Sequence, residues 1–419
     1  MQRDHALEIA EILRHPAFKR AVETLDVEHE RTIADIITLT EIPSPPFKEG
    51  KRAAVYLDML RAHGLDDIER DEVGNVMGVR RGIGNGALIV VAAHLDTVFP
   101  EGTDVTVRRE GTILYAPGVG DDTRSLAVLL AFLRAMDAAK IRTRNDILVV
   151  GDVGEEGLGD LRGVRHLFTQ GRYSNRIEAF ITVDSPQMDK IVVGGVGSKR
   201  YSVRFRGPGG HSFKAFGIVN PMYAMAQAIV ELGRIRVPAQ PFTTFCASIV
   251  GGGTSINAIP QETWIDIDLR SESAKELAKL DARCHEIMVA AVEQENAARS
   301  TKDGAIKLDI KTVGDRPAGS TPLHADIVQF ATAAYQAHGF TPVYGASSTD
   351  ANIPISLGIP AIKIGSGGTG GRAHSLAEWI DVEKTASLAG MSASLAAILA
   401  VAGFESGGAA SSVANRTRE

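Results

Sequence analysis

Cysteine is scarce in this 419-residue chain, which has only Cys246 and Cys284. Two thiols cannot build a disulfide framework for a protein of this size, and a reduced interior is the simpler reading. No concentrated block of lysine and arginine occurs, and 45 basic against 51 acidic residues leave a formal charge of -6. Nucleic-acid binding, which needs a basic footprint, is not expected. The opening MQRDHALEIAEILRHPAFKR has no long apolar core and no small-residue cleavage site, so no secretory signal is expected. No apolar stretch reads as long and charge-free enough to span a bilayer; the most apolar, 386–403, is rich in Ala, Ser and Gly and reads as a buried helix. By exclusion the expectation is a cytoplasmic protein with no membrane partner. The tail 405–419, ESGGAASSVANRTRE, is small and polar and is expected to be disordered.

What remains is an ordinary globular composition, 44% hydrophobic and 23% charged, in a chain long enough for two domains. The first part reads as helices, with helical apolar spacing over 27–40 and 51–63 and the Pro-rich break EIPSPPF between them. Apolar strands at 86–93, 145–151, 179–183 and 360–364 alternate with helices at 125–139 and 383–400. Continuous apolar strands between helices predict an α/β layer with parallel pairing. The middle differs: 198–206 and 262–270 alternate, 305–312 is a mixed strand, and 221–232 and 274–298 read as helices. That pattern predicts an antiparallel sheet covered on one side by two helices. The expected fold is a mixed α/β sheet flanked by helices, with an inserted α+β domain. Its segments are 1–195, 196–311, 312–404 and the tail 405–419.

Several strands run out onto an acid or an imidazole. His94 and Asp96 lie in VVAAHLDTV, Glu155 and Glu156 in LVVGDVGEEG, Asp184 in AFITVDS. Asp121 and Asp122 lie in GVGDDT before a helix, and His374 in the Gly-rich GGTGGRAHS. In parallel sheets sites form at the carboxyl ends of the strands, where these residues sit. Each has an ordinary reading alone: a strand-end loop, a helix cap, a solvated acidic turn. Together His94, Asp121, Glu156, Asp184 and His374 make a ligand set of two imidazoles and three carboxylates. That mixture suits zinc, cobalt or manganese and not an all-oxygen calcium cage. Asp96 is read as the partner that orients His94, and Glu155 as a general base beside the metal. The glycines match no GxxxxGK[ST] or GxGxxG pattern, which weakens a phosphate reading. His211 in FRGPGGHSF, Asn257 in GGTSINAIP and Arg270 at a strand end offer donors for a substrate carboxylate or an oxyanion.

In this order, HLDTV, GVGDDT, GEEG, VDS, GGHS, INAIP and AHS resemble the M20 family of co-catalytic zinc peptidases and deacylases, over about residues 30–400. Within that family the motifs most resemble the peptidase T-like aminopeptidases. The resemblance implies a catalytic domain carrying an inserted dimerisation or lid domain. It implies that His94 and Asp184 hold one zinc, that Glu156 and His374 hold the other, and that Asp121 bridges them. Asp96 would orient His94, and Glu155 would act as general base and acid. His211 would complete the site, commonly across a homodimer, and Asn257 and Arg270 would contact substrate. One departure stands out: the family usually has lysine two positions after the bridging aspartate, where this chain has Thr123 followed by Arg124.

The function expected is hydrolysis of amide bonds in short peptides by two divalent ions, Zn²⁺ first and Co²⁺ or Mn²⁺ as substitutes. An aminopeptidase is favoured. An N-acyl amino-acid deacylase or carboxypeptidase is the alternative, and a non-catalytic metal-binding structural protein the remote one.

Overall fold

The computed structural model describes residues 3–84 and 87–405. Its central element is a nine-stranded mixed sheet. Four parallel neighbours form the middle, in the order Asp146–Asp152, Leu88–His94, Ile177–Val183 and Ala361–Ile364. Register sets His94 beside Asp152 and Val183 beside Ile364, so these strands end along one edge. The strands expected at 86–93, 145–151, 179–183 and 360–364 are therefore present with slightly shifted ends; residue 86 lies outside the described residues.

The apolar continuity of these strands has a simple cause. Successive side chains point to opposite faces. Ile89, Val91 and Ala93 pack into one core with the helices Arg124–Ala138, Asp326–Ala337 and Lys384–Ala402. Leu88, Val90 and Ala92 pack into another with Arg162–Thr169 and Asn352–Ser356. With both faces covered, no polar face remains to give alternation. Each fully buried Leu, Ile or Phe contributes roughly 1.5–3 kcal/mol.

The inserted segment forms its own antiparallel sheet, in the order Thr243–Gly252, Glu262–Ser271, Gly197–Arg206 and Lys307–Arg316. Along Glu262–Ser271 buried and part-exposed residues alternate throughout. The helices Pro221–Leu232 and Ala274–Ala298 pack on this sheet and share a separate core with it. Both helices have local start signals. Asn220 Oδ1 accepts the Met222 amide at 3.0 Å ahead of Pro221, and Ser273 Oγ accepts the Glu276 amide at 3.4 Å. The last strand runs through residue 311 to Arg316.

Three expectations need correction. The N-terminal part holds four helices, His5–Arg14, Pro16–Val27, His29–Thr40 and Gly50–Arg61, because Glu28 separates what the spacing joined at residue 27. Strands at Asp66–Arg70, Val76–Arg80, Lys190–Gly195, Thr243–Gly252 and Val343–Ser347 were not foreseen. The helix Lys384–Ala402, with mean hydropathy 1.7, does meet the length and composition of a membrane span, but 72% of it is buried inside the protein. It is the core helix expected there, and no other helix among the described residues meets that test. Of the tail expected to be disordered, residues 406–419 lie outside the described residues.

Candidate metal centre

His94 is the last residue of its strand and is buried. Its Nδ1 lies 2.9 Å from the backbone oxygen of Asp96. A carbonyl only accepts, so Nδ1 carries the proton and the Nε2 lone pair points outward. Nε2 faces Asp121 Oδ1 at 2.9 Å. Two acceptors at that distance need a positive charge between them. A second proton can supply it, and so can a metal ion. The other Asp121 oxygen lies 3.1 Å from His374 Nε2, which is also 2.8 Å from Glu156 Oε1. Asp121 thus stands between two imidazoles. Among the described residues, one cluster, His94, Asp121 and Glu156, has ligand atoms all within 4.8 Å of one another. An imidazole with two carboxylates fits a divalent ion of zinc type.

Burial opposes protonation of His94, but Asp121, Asp122 and Asp96 outweigh it and raise its pKa well above the ordinary value. Hydrogen bonds to Asp121 and Glu156 push His374 up to about 11. Against the cost of burial, those two imidazoles hold the Asp121 carboxyl far below the usual range.

The turn that presents Asp121 is built on backbone amides. Glu378, 1% exposed, accepts the amides of Gly118, Gly120 and Asp121 at 2.9, 2.8 and 2.9 Å. Gly118 has φ 77, and a Cβ there would lie 2.6 Å from Thr97 Cγ2. The Asp121–Asp122 peptide is cis. Asp122 accepts the amides of His94 at 3.2 Å and Ser185 at 3.3 Å. It ties two strand ends together beneath the site. Thr123, where the family usually has lysine, is buried, donates to the Gly118 carbonyl at 2.8 Å and lies 2.6 Å from Thr40 Oγ1. Arg124 is buried away from the cluster, with Nη2 3.2 Å from Ser387 Oγ.

Asp96 holds the neighbouring loop. Its carboxylate accepts the amides of Gly154, Glu155 and Glu156 at 2.8, 3.0 and 2.8 Å and is 3.8 Å from His94 Nδ1. The imidazole is therefore oriented by the Asp96 carbonyl, and the side chain organises the loop of Glu155 and Glu156. Burial pushes the Glu155 carboxyl up to about 8; Arg316, with Nη1 3.2 Å from Oε1, opposes that rise. His374 and Arg372 adopt left-handed backbone, with φ 63 and 58, which costs about 1–3 kcal/mol each and is common at functional sites. The preceding glycines have a packing reason: a Cβ on Gly367 would lie 2.8 Å from the backbone of Met391 and Ser387.

His94, Asp121, Glu155, Glu156 and His374 line a cavity of 540 Å³ with Asp184, Arg200, Arg270, Arg316 and Lys363. Asp184 Oδ1 lies 3.5 Å from the Lys363 ammonium, which also donates to Ser185 Oγ at 2.9 Å. Arg270 lies in the cavity wall with Nε 2.6 Å from Asp268 Oδ2. His211 and Asn257 do not line it. They line a separate cleft of the inserted segment with Gly253 and Trp264. Glu378, Arg316 and Lys363 were not singled out in the sequence. Glu378 alone left a signal, an acid set among Leu376, Ala377, Trp379 and Ile380.

The model of Peptidase family M20/M25/M40 matches residues 90–399. A succinyl-diaminopimelate desuccinylase of Corynebacterium glutamicum is 24% identical over 57% of this chain and 66% of its own length, just under two thirds. Aminopeptidase PepT from Bacillus cereus shares the fold at TM-score 0.69 and 20% identity, over 89% of this chain and 99% of that one. A di-peptidase from Saccharomyces cerevisiae does so at TM-score 0.69 and 14% identity, over 92% and 98%. With its donor cluster at the carboxyl edge of the parallel strands and the family match over most of its length, this chain belongs to the M20/M25/M40 family of metal-binding peptidases and hydrolases.

Proposed function

We propose that this chain hydrolyses an amide bond in a small substrate bearing a free carboxylate, with short peptides trimmed from the amino end as the first substrate class. The observation that carries the reading is the cavity itself. Its walls hold the cluster His94, Asp121 and Glu156 together with the acid Glu155 and with Arg270.

Two divalent ions, Zn²⁺ by preference, would be held by His94 and Asp184 and by Glu156 and His374, with Asp121 between them. Such ions polarise a carbonyl and bring the pKa of water down towards about 7. Glu155 takes the proton from the attacking water and returns it to the leaving amine. Asp96 keeps Glu155 and Glu156 in place through their amides. Arg270 binds the substrate carboxylate as a planar fork. His211 and Asn257 add donors when the inserted domain closes or a second copy presents them. This arrangement divides the chain into catalytic and inserted parts near residue 195 and, beyond 311, at the end of Lys307–Arg316.

A second reading, an N-acyl amino-acid deacylase or carboxypeptidase, has its own support. Every acid in the cavity already faces a cationic or imidazole partner: Asp121 and Glu156 face His374, Glu155 faces Arg316, and Asp184 faces Lys363. Among the described residues no acid lining it stands ready for a substrate ammonium. The desuccinylase relative acts, by its name, on an acylated amino acid.

The deciding experiment hydrolyses matched di- and tripeptides, N-free and N-acetylated, with Zn²⁺- or Co²⁺-loaded protein, and identifies products by mass spectrometry. Loss of the first residue from N-free peptides alone supports the aminopeptidase. Cleavage of acylated compounds, or release from the carboxyl end, moves the function to the second reading. No hydrolysis of any member by metal-loaded protein overturns both.

A further inference from the structure

The loop that carries Glu155 is gripped from two sheets. From the central sheet, Asp96 takes its amides. From the inserted sheet, two arginines take its carbonyls. Arg316, the last residue of Lys307–Arg316, donates from Nη2 to the Glu155 carbonyl and from Nη1 to the Glu155 carboxylate, at 3.2 Å. Nη1 also donates to Ser348 Oγ at 3.0 Å. Arg200, on Gly197–Arg206, donates from Nη1 to the Gly157 carbonyl at 2.9 Å. The same junction is tied twice more. The Asp315 amide reaches both Asp160 oxygens at 3.0 Å, and Arg165 Nη2 donates to the Asp315 carbonyl at 2.6 Å. A Cβ on Gly314 would lie 3.1 Å from Arg200 Cδ and 3.3 Å from Asp160 Oδ1, so a larger residue would crowd this approach.

The Arg316 side chain is 4% exposed. A guanidinium is costly to bury, and a buried charge is retained where its fixed fork of donors meets several acceptors at once. Here three of those acceptors are the Glu155 carbonyl, the Glu155 carboxylate and Ser348. The Glu155 amide is held by Asp96. The backbone on both sides of the Glu155 Cα and the end of its side chain are thereby fixed.

We propose that Arg316 is a positioning residue for Glu155, and that with Arg200 it makes the setting of the inserted sheet determine where that carboxylate stands. The role of Glu155 as base, on which the kinetic half of this proposal rests, is tested separately by E155Q.

The test uses full-length R316A, R316K and E155Q with Leu-Gly-Gly and N-acetyl-leucine, and hydrogen exchange on the metal-free proteins. R316A is expected to lower kcat about 10²-fold, as a displaced catalytic group does, with KM within about twofold and metal content unchanged. R316K is expected to recover part of the loss, because an ammonium keeps the charge and lacks the fork. Amides at 154–158 should exchange faster in R316A than in the parent, with the central strands unchanged. A raised KM at unchanged kcat would make Arg316 a substrate contact and overturn the proposal. Unchanged exchange at 154–158 would overturn it as well. If R316A does not fold, R316K decides on the same readouts: parent-like kcat and parent-like exchange there overturn it. If E155Q keeps full activity, the base reading fails, and the exchange experiment still judges the grip on the loop.

Discussion

At His94 the backbone decides which nitrogen faces the centre. The Asp96 carbonyl takes the Nδ1 proton, and Nε2 is left to meet Asp121. If Asp121 is shared between two ions, Asp121→Ala should empty both positions. His374→Ala, at a half-exposed side chain, should empty one. Metal analysis after dialysis reads the difference, and loss of a single ion in D121A would refute the bridge. Glu155→Gln should retain metal and lose about 10²–10⁴-fold in kcat, the usual contribution of a positioned base. Full activity with metal bound would remove Glu155 from that role. Glu378 needs both oxygens for three amides. Glu378→Gln keeps the shape but offers one acceptor and sets N–H groups against N–H groups. It should destabilise the fold by about 1–3 kcal/mol and weaken metal binding by about 10–100-fold; parent-like values of both would show that the turn holds without it.

At the scale of elements, the site depends on strand ends that stay in register. Asp146 starts a central strand and accepts the Gly82 amide at 2.8 Å, with Arg81 and Arg176 each at 3.0 Å. Burial raises its pKa, but these donors outweigh burial and leave it below the ordinary value. A carboxyl whose folded pKa is depressed stabilises above its unfolded pKa, about 3.9, and loses that contribution as pH falls through the folded value. Asp146→Asn should therefore lower the melting temperature at neutral pH, and the gap to the parent should narrow as pH falls below about 3.9. A constant gap across that range would rule out the charged form as the source. The central strands and the two capped helices were legible because burial on both faces and local caps leave marks in the sequence. The edge strand Thr243–Gly252 was not, because its outward residues include Ile249 and Val250, which mask alternation.

At the scale of the whole molecule, the inserted sheet ends on that exposed strand. Ile249 and Val250 are 56% and 57% exposed, and among the described residues no strand pairs with the outer side of Thr243–Gly252. An open apolar edge of this kind is a template for pairing with another chain. If the protein is a homodimer joined there, Val250→Lys should give a monomer in sedimentation experiments, where the parent sediments as a dimer. A second consequence concerns His211, which lies outside the cavity of its own chain. If a second copy supplies it, mixing inactive H211A and E155Q chains should restore part of the activity. No recovery in verified mixed dimers would assign His211 to its own chain.

By itself the sequence determined the chemistry on offer and the layers that present it. His94, Asp121, Glu155, Glu156 and Asp184 follow apolar strands or precede a buried helix, and that placement can be read because burial and periodicity are local properties. Only the tertiary structure decided how these groups are used. Whether Asp96 orients an imidazole or a loop, whether Asp122 caps a helix or joins two strands, and whether His211 reaches the cavity are questions of distance between segments far apart in the chain. So is the grip of Arg316 on Glu155: a buried arginine at the end of a mixed strand looks like any solvated one until the sheet beneath it is folded.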